Sequence, residues 1–315
     1  MTFATLIAKL CLAQAIDYSP VYRDIQTDKS FRFSYENDFF SASDRDYTQG
    51  VYIEIVHPRI KKFVLSRILW QPFSNSQRFG VAIETDGYTP NRIDKPEIQY
   101  YDRPYASTML LRTFNTGKKA GSDTRITNSL TLGVLGPWAA GKEIQESIHR
   151  WIGYTKPLGW HNQVQNEPVL NYQVNYEHGI AGNHKNWLLT STALARAGTL
   201  STKAAAGLAI MGGTFSDPYA DVHPKSMKLN IYVYEHAMLN FVGYDATLQG
   251  GLINKTSPYV IANSHLKRLV FQNRFGLVIN YRRIMMEYWQ SFLTREFATG
   301  IEPKTGGLQF AIKLN

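Results

Sequence analysis

Segments of about ten residues in which apolar and polar side chains alternate recur along this chain, and they constrain its fold more than any other feature. The first is FRFSYEN, where Phe31, Phe33 and Tyr35 fall on one face of an extended strand and Arg32, Ser34 and Glu36 on the other. Eleven further segments begin at Thr48, Arg78, Tyr105, Asn128, Pro168, Asn186, Ala204, Lys228, Arg268, Arg283 and Gly306, each bounded by Gly, Pro, Asn or Asp. A thirteenth, GYDATLQGG from Gly243, reads as the protruding outer part of the ninth strand.

No apolar run reaches the roughly 18 residues a membrane-spanning helix needs. Yet the chain holds 19 Tyr, and the aromatic residues gather near strand ends. Long strands with one apolar face and aromatic ends suit a membrane barrel, whose lipid side must be apolar and whose lumen can be polar. A soluble sandwich would turn the apolar face inward and usually has shorter strands. The expected fold is all-β: a twelve-stranded antiparallel transmembrane β-barrel over residues 16–315, with a short helix in an extracellular loop. Residues 1–15, ending in Ala13-Gln14-Ala15, are a candidate signal peptide, although Lys9 interrupts the apolar part and no charged leader precedes it. The one cysteine, Cys11, falls in that segment, so neither an intrachain disulfide nor a multi-thiolate zinc site is available.

The formal charge of +9 calls for an acidic partner: nucleic acid, anionic lipid or a phosphorylated glycolipid. The basic residues are scattered over strand ends and loops (Lys61, Lys62, Arg92, Lys95, Lys118, Lys119, Lys267, Arg268, Arg282, Arg283), with no nucleic-acid motif, so no nucleic-acid partner is expected.

One segment departs from period two. GKEIQESIHRWIG, residues 141–153, repeats Ile144, Ile148 and Ile152 at helical spacing and ends in glycine, which predicts an amphipathic helix between strands five and six. Gln145 and His149 are also four apart and share a face. A helical histidine is ordinarily a surface or capping residue, so its neighbourhood decides. Odd-to-even connections all lie at one end of such a barrel. That end also carries YENDFFSASDRDYTQG, in which Asn37 and Asp38 finish strand one and Thr48 begins strand two. Carboxylate, amide and carbonyl oxygens suit Ca2+ rather than zinc. A histidine beside such a cation can deprotonate water while the cation holds an ester's oxyanion, so the set supports metal-assisted ester hydrolysis. Asn-Asp at a strand end is more often an ordinary turn former.

The runs Glu36-Asn37-Asp38-Phe39-Phe40, Asp44-x-Asp46-Tyr47-Thr48-x-Gly50 and Asp102-Arg103-Pro104-Tyr105-Ala106, then LGVLGPWAAGKEIQESIHRWIG and GWHNQVQNEP, occur in this order. Together they resemble the LpxR family of outer-membrane lipid A 3'-O-deacylases over nearly the whole chain. The resemblance implies a twelve-stranded barrel with its active site at the outer rim, between the wall and a loop helix. It also implies Ca2+-dependent hydrolysis of the 3'-linked acyloxyacyl chain of lipid A in lipopolysaccharide. By motif, His149 is the base that activates water, Asp38 the first candidate Ca2+ ligand, and Asn37 and Thr48 ligand or orienting groups. Gln145 ranks below these. Arg92 and Lys95 are candidates for the glycolipid's phosphates or acidic sugars. Asp102-Arg103-Pro104-Tyr105 marks the family but reads as a turn entering strand four. The chain ends in FAIKLN, so Asn315 stands where outer-membrane barrels usually have an aromatic residue. Two competing readings are a passive channel or scaffold barrel, and a phospholipase-type serine hydrolase using Ser41 or Ser43. A closed barrel has no free edge, so a monomer is expected.

Overall fold

The computed structural model describes residues 17, 19–38, 49–73, 77–220 and 227–315. The candidate signal peptide and Cys11 lie outside them. Twelve strands form: β1 Ser30–Asn37, β2 Gln49–Val56, β3 Arg78–Tyr88, β4 Ala106–Lys118, β5 Thr124–Leu135, β6 Glu167–Gly182, β7 Trp187–Gly198, β8 Ser201–Gly213, β9 Met227–Asp245, β10 Leu269–Arg282, β11 Ile284–Leu293 and β12 Lys304–Lys313. Each pairs antiparallel with its sequence neighbours, and β1 closes on β12 with Ser30 opposite Lys313 and Asn37 opposite Gly306. The thirteenth segment extends the ninth strand only in part: β9 runs on to Asp245, and a single helical turn follows at Ala246–Gln249, where an extended strand was expected.

The alternation in sequence becomes an inside-out barrel. Ile53, Ile55, Ile83, Leu170, Leu208, Val233 and Phe241 face outward and are exposed, whereas Arg32, Glu54, Glu84, Arg112, Arg125 and Glu287 are buried in the lumen. Only a lipid surround makes that arrangement favourable, because exposed apolar strand faces would be costly in water. Connections at the end carrying the strand termini Ser30 and Lys313 include short ones at 119–123 and 183–186, while the opposite end carries 89–105, 136–166 and 246–268. Short inner turns and long outer loops orient the molecule.

The polar lumen does not stay open. Residues 19–26 run up inside the barrel, and Val21, Tyr22 and Arg23 are completely buried there. Val21 N–H donates to Glu177 (2.8 Å), and Arg23 pairs with Glu287 (2.9 Å). The Tyr22 hydroxyl meets His236 Nδ1 at 2.8 Å, and Asp24 pairs with Arg78 and Arg125. Much of the lumen charge is therefore paired, by this segment and by wall partners such as Arg112 and Glu84, 2.7 Å apart. Nothing in the period-two pattern announced this plug, because its partners come from strands far away in sequence.

Candidate active site

The predicted helix forms as α1, Gly141–Ile152. Its start is packed hard against the wall: a Cβ on Gly141 would collide with the Ser107 side chain on β4. Its end is set by Gly153, whose φ of 71° is in the left-handed region that glycine tolerates. There the Tyr154 N–H returns to the His149 carbonyl at 2.8 Å. Gly141, Gln145 and His149 are the buried residues of the helix, while Trp151 is 87% and Ile152 58% exposed. The polar pair Gln145 and His149 thus faces the wall, Ile144 and Ile148 are half-buried beside it, and the outer side mixes Lys142, Glu143, Ser147 and Arg150 with Trp151 and Ile152.

The turn after Gly153 brings the Thr155 carbonyl oxygen to 2.6 Å from His149 Nδ1. A carbonyl only accepts, so Nδ1 carries the proton and Nε2 is the basic nitrogen of the neutral ring. Tyr154 stands edge-on to the imidazole with ring centres 5.1 Å apart. One turn earlier, Gln145 Oε1 accepts from the indole N–H of Trp160 at 2.6 Å, which fixes the amide and presents its NH2 at the other end. Trp160 is held in turn by Tyr105 (ring centres 5.0 Å) at the entry to β4. The sequence reading did not single out Trp160, although GWHNQVQNEP contains it.

Asn37 ends β1 and Asp38 follows it, half-buried and buried respectively, at the same outer end. Gln49 begins β2, is buried at 5% exposure, and is paired with Gly87 of β3, which is paired with Ser107 beneath α1. Gln49, Gly87 and Ser107 thus form one row on the outward face, leading from the β1–β2 rim to the helix. Gln49 is a polar member of this rim that the sequence reading passed over. Thr48, like Ser41 and Ser43, lies outside the described residues. For Ca2+, Asp38 and Asn37 offer carboxylate and amide oxygens, a hard donor set that fits the ion. Among the described residues no group of three or more His, Cys, Asp or Glu stands together, so no thiolate or multi-histidine centre is built among them.

Arg92 and Lys95 are exposed on the β3–β4 loop, which is stitched to the segment after α1 by Leu158 N–H to Ile93 O (2.8 Å) and Asn162 Nδ2 to Pro96 O (2.8 Å). Arg92 binds Asp94 through two 2.9 Å hydrogen bonds, and those bonds hold the Asp94 carboxyl down at about 2. An anion reaching Arg92 must therefore compete with Asp94, an exposed pair that costs little to open.

Asp102-Arg103 proves structural, in line with the turn expected from sequence. Arg103 is buried, pairs with Glu296 of the β11–β12 loop, donates to Thr247 Oγ1 (2.9 Å) and lies 4.3 Å over the Tyr88 ring. Asp102 accepts Asn91 N–H through its carboxylate (2.9 Å) and Tyr259 OH through its carbonyl (3.1 Å). The motif clamps three outer loops together over the lumen.

A family model described as "Outer membrane protein LpxR" matches residues 1–314 of this chain. The solved structure of LpxR from Salmonella typhimurium is similar at 22% identity, covering 90% of this chain and 100% of that one, with a TM-score of 0.71. The β-domain of the Bordetella autotransporter BrkA aligns over 91% of this chain and 98% of its own, at 8% identity and a TM-score of 0.42. Among curated proteins, none matches by sequence.

Proposed function

This chain belongs to the LpxR family of outer-membrane proteins, and from that premise we propose that it is a Ca2+-dependent hydrolase removing the 3'-linked acyloxyacyl chain of lipid A. The observation that carries this reading is the His149 tautomer. With Nδ1–H held by Thr155 O, Nε2 is ready to take a proton on the buried side of α1. In the reaction, His149 accepts a proton from water as the water oxygen bonds to the acyl carbonyl carbon. The imidazolium then returns that proton to the sugar 3'-oxygen as the ester C–O bond breaks. A fatty acid and a sugar hydroxyl leave. Bound through Asp38 and Asn37, Ca2+ would supply the positive charge that the oxyanion needs. Gln145, fixed by Trp160, and Thr48, by its place in the motif, orient water or substrate. Arg92 and Lys95 meet the phosphates or acidic sugars of the glycolipid. The exposed Trp151 and Ile152 side of α1 supports an acyl substrate delivered from the surrounding lipid rather than from water.

The channel reading predicted a lumen lined with charge, and the lumen is charged. Much of that charge, however, is paired, Arg23 with Glu287 and Asp24 with Arg78 across the plug and Arg125 with Glu177 within the wall, which opposes a conducting role. The closed barrel favours a monomer. The test is purified protein with lipid A: acyl release that stops on chelation and returns with added Ca2+ supports the proposal, and release indifferent to chelator removes the metal from it.

A further inference from the structure

The β2–β3 connection, residues 57–77, is long for the inner end of a barrel, and its course is unusual. Its described part, residues 57–73, folds back over the outside of the wall. Thr113 and Asn128 belong to the outward rows of β4 and β5, since their neighbours Arg112, Thr127 and Ser129 line the lumen, yet both are completely buried. What covers them is this connection. Ser66 Oγ lies 3.1 Å from Thr113 Oγ1, Asn128 Nδ2 donates to the Trp70 carbonyl at 2.7 Å, and Trp70 N–H donates to Tyr172 OH at 2.9 Å. Two short 3-10 turns, Pro58–Lys62 and Val64–Arg67, shape it.

With Ser66 and the Trp70 backbone turned to the wall, the strap presents apolar side chains outward: Val64 and Ile68 are each 62% exposed and Trp70 53%. These continue the apolar belt formed by Leu111 and Leu170 on the neighbouring strands. Between His57 and Phe73 the sequence has four cations, Arg59, Lys61, Lys62 and Arg67, and no acidic residue. All four are exposed, and none appears in an ion pair among the described residues. An apolar face edged with tryptophan and unmatched positive charge, lying along the wall at the inner end, matches a segment seated at a membrane interface.

We propose that residues 57–73 are a docking strap for anionic glycerophospholipid in the inner leaflet of the outer membrane. Val64, Ile68 and Trp70 enter the acyl region, and Arg59, Lys61, Lys62 and Arg67 meet the headgroup phosphates. Continuity with the lipid-facing belt and charge complementarity both select this occupant over a protein. The strap stands at the opposite end of the barrel from His149, so the inference is independent of the hydrolytic reading.

The full chain is reconstituted in vesicles of phosphatidylcholine alone and of phosphatidylcholine with phosphatidylglycerol. The Trp70 signal is taken as the difference between wild type and Trp70→Phe. Acyl-brominated lipid should quench that difference strongly and aqueous iodide weakly. The thermal midpoint of the barrel, read by its heat-modified gel mobility, should rise with the phosphatidylglycerol fraction. That rise should disappear when Arg59, Lys61, Lys62 and Arg67 are all changed to Gln, in a variant whose gel mobility before heating shows a folded barrel. A Trp70 signal quenched by iodide and not by brominated lipid overturns the proposal. Shielding from both quenchers also overturns it, pointing to burial against a second copy of the chain, as does an equal response of wild type and the Gln variant to phosphatidylglycerol.

Discussion

His149 Nδ1 and the carbonyl oxygen of Thr155 are 2.6 Å apart, six residues along the chain, and Gly153 at φ 71° makes the turn between them. A helix end thereby fixes the tautomer of the proposed base. Replacing Gly153 by Ala strains that turn by about 1 kcal/mol, since a Cβ disfavours positive φ. The expected outcome is an intact barrel with a lower kcat for acyl release and an altered pH profile, checked by steady-state assays across pH. An unchanged pH profile would mean that Thr155 does not govern the ring.

Trp160→Phe keeps the packing on Tyr105 but removes the 2.6 Å hydrogen bond to Gln145. A neutral hydrogen bond of this kind contributes about 1 kcal/mol. Activity should fall several-fold with the pH profile of the wild type preserved, and Trp160→Phe should not add to the effect of Gln145→Ala. Kinetics of the two single variants and the double variant check this.

Arg103→Ala leaves Glu296 buried without its guanidinium. Breaking one side of a buried pair costs about 3–5 kcal/mol. The barrel's thermal midpoint in detergent should drop clearly. Because the clamp organises outer loops and touches neither His149 nor Gln145, residual activity per folded molecule should exceed that of His149→Ala.

Arg23→Glu would set two carboxylates against each other at the Arg23–Glu287 contact inside the plug. Like charges at that depth repel strongly. In planar bilayers the wild type should show no steady conductance, and the variant should show intermittent openings. Steady wild-type conductance would favour a channel.

The strands were legible because a barrel wall is two-faced at every residue, so each of β1 to β12 writes its own alternation, as Phe31 to Glu36 does. The helix was legible from Ile144, Ile148 and Ile152, and so was the shared face of Gln145 and His149. Which way that helix faces was not, since an isoleucine stripe suggests an apolar buried side, whereas in the folded molecule Gln145 and His149 take the buried side and Ile144 and Ile148 stay half-buried. The plug and the strap left no trace in periodicity. Tyr22 meets His236, and Ser66 meets Thr113, through contacts made once each across long stretches of chain. Trp160 and Gln49 escaped for a related reason: their importance lies in what they touch, and neither belongs to a spacing that repeats.

The most direct measurement is mass spectrometry of lipid A from cells expressing the wild type and, separately, His149→Ala at equal barrel levels. Loss of a general base lowers rate by roughly 10²–10⁴-fold. The account predicts lipid A lacking the 3'-linked acyloxyacyl chain with the wild type and fully acylated lipid A with the variant. Intact lipid A in both, or 3'-deacylated lipid A in both, would contradict it.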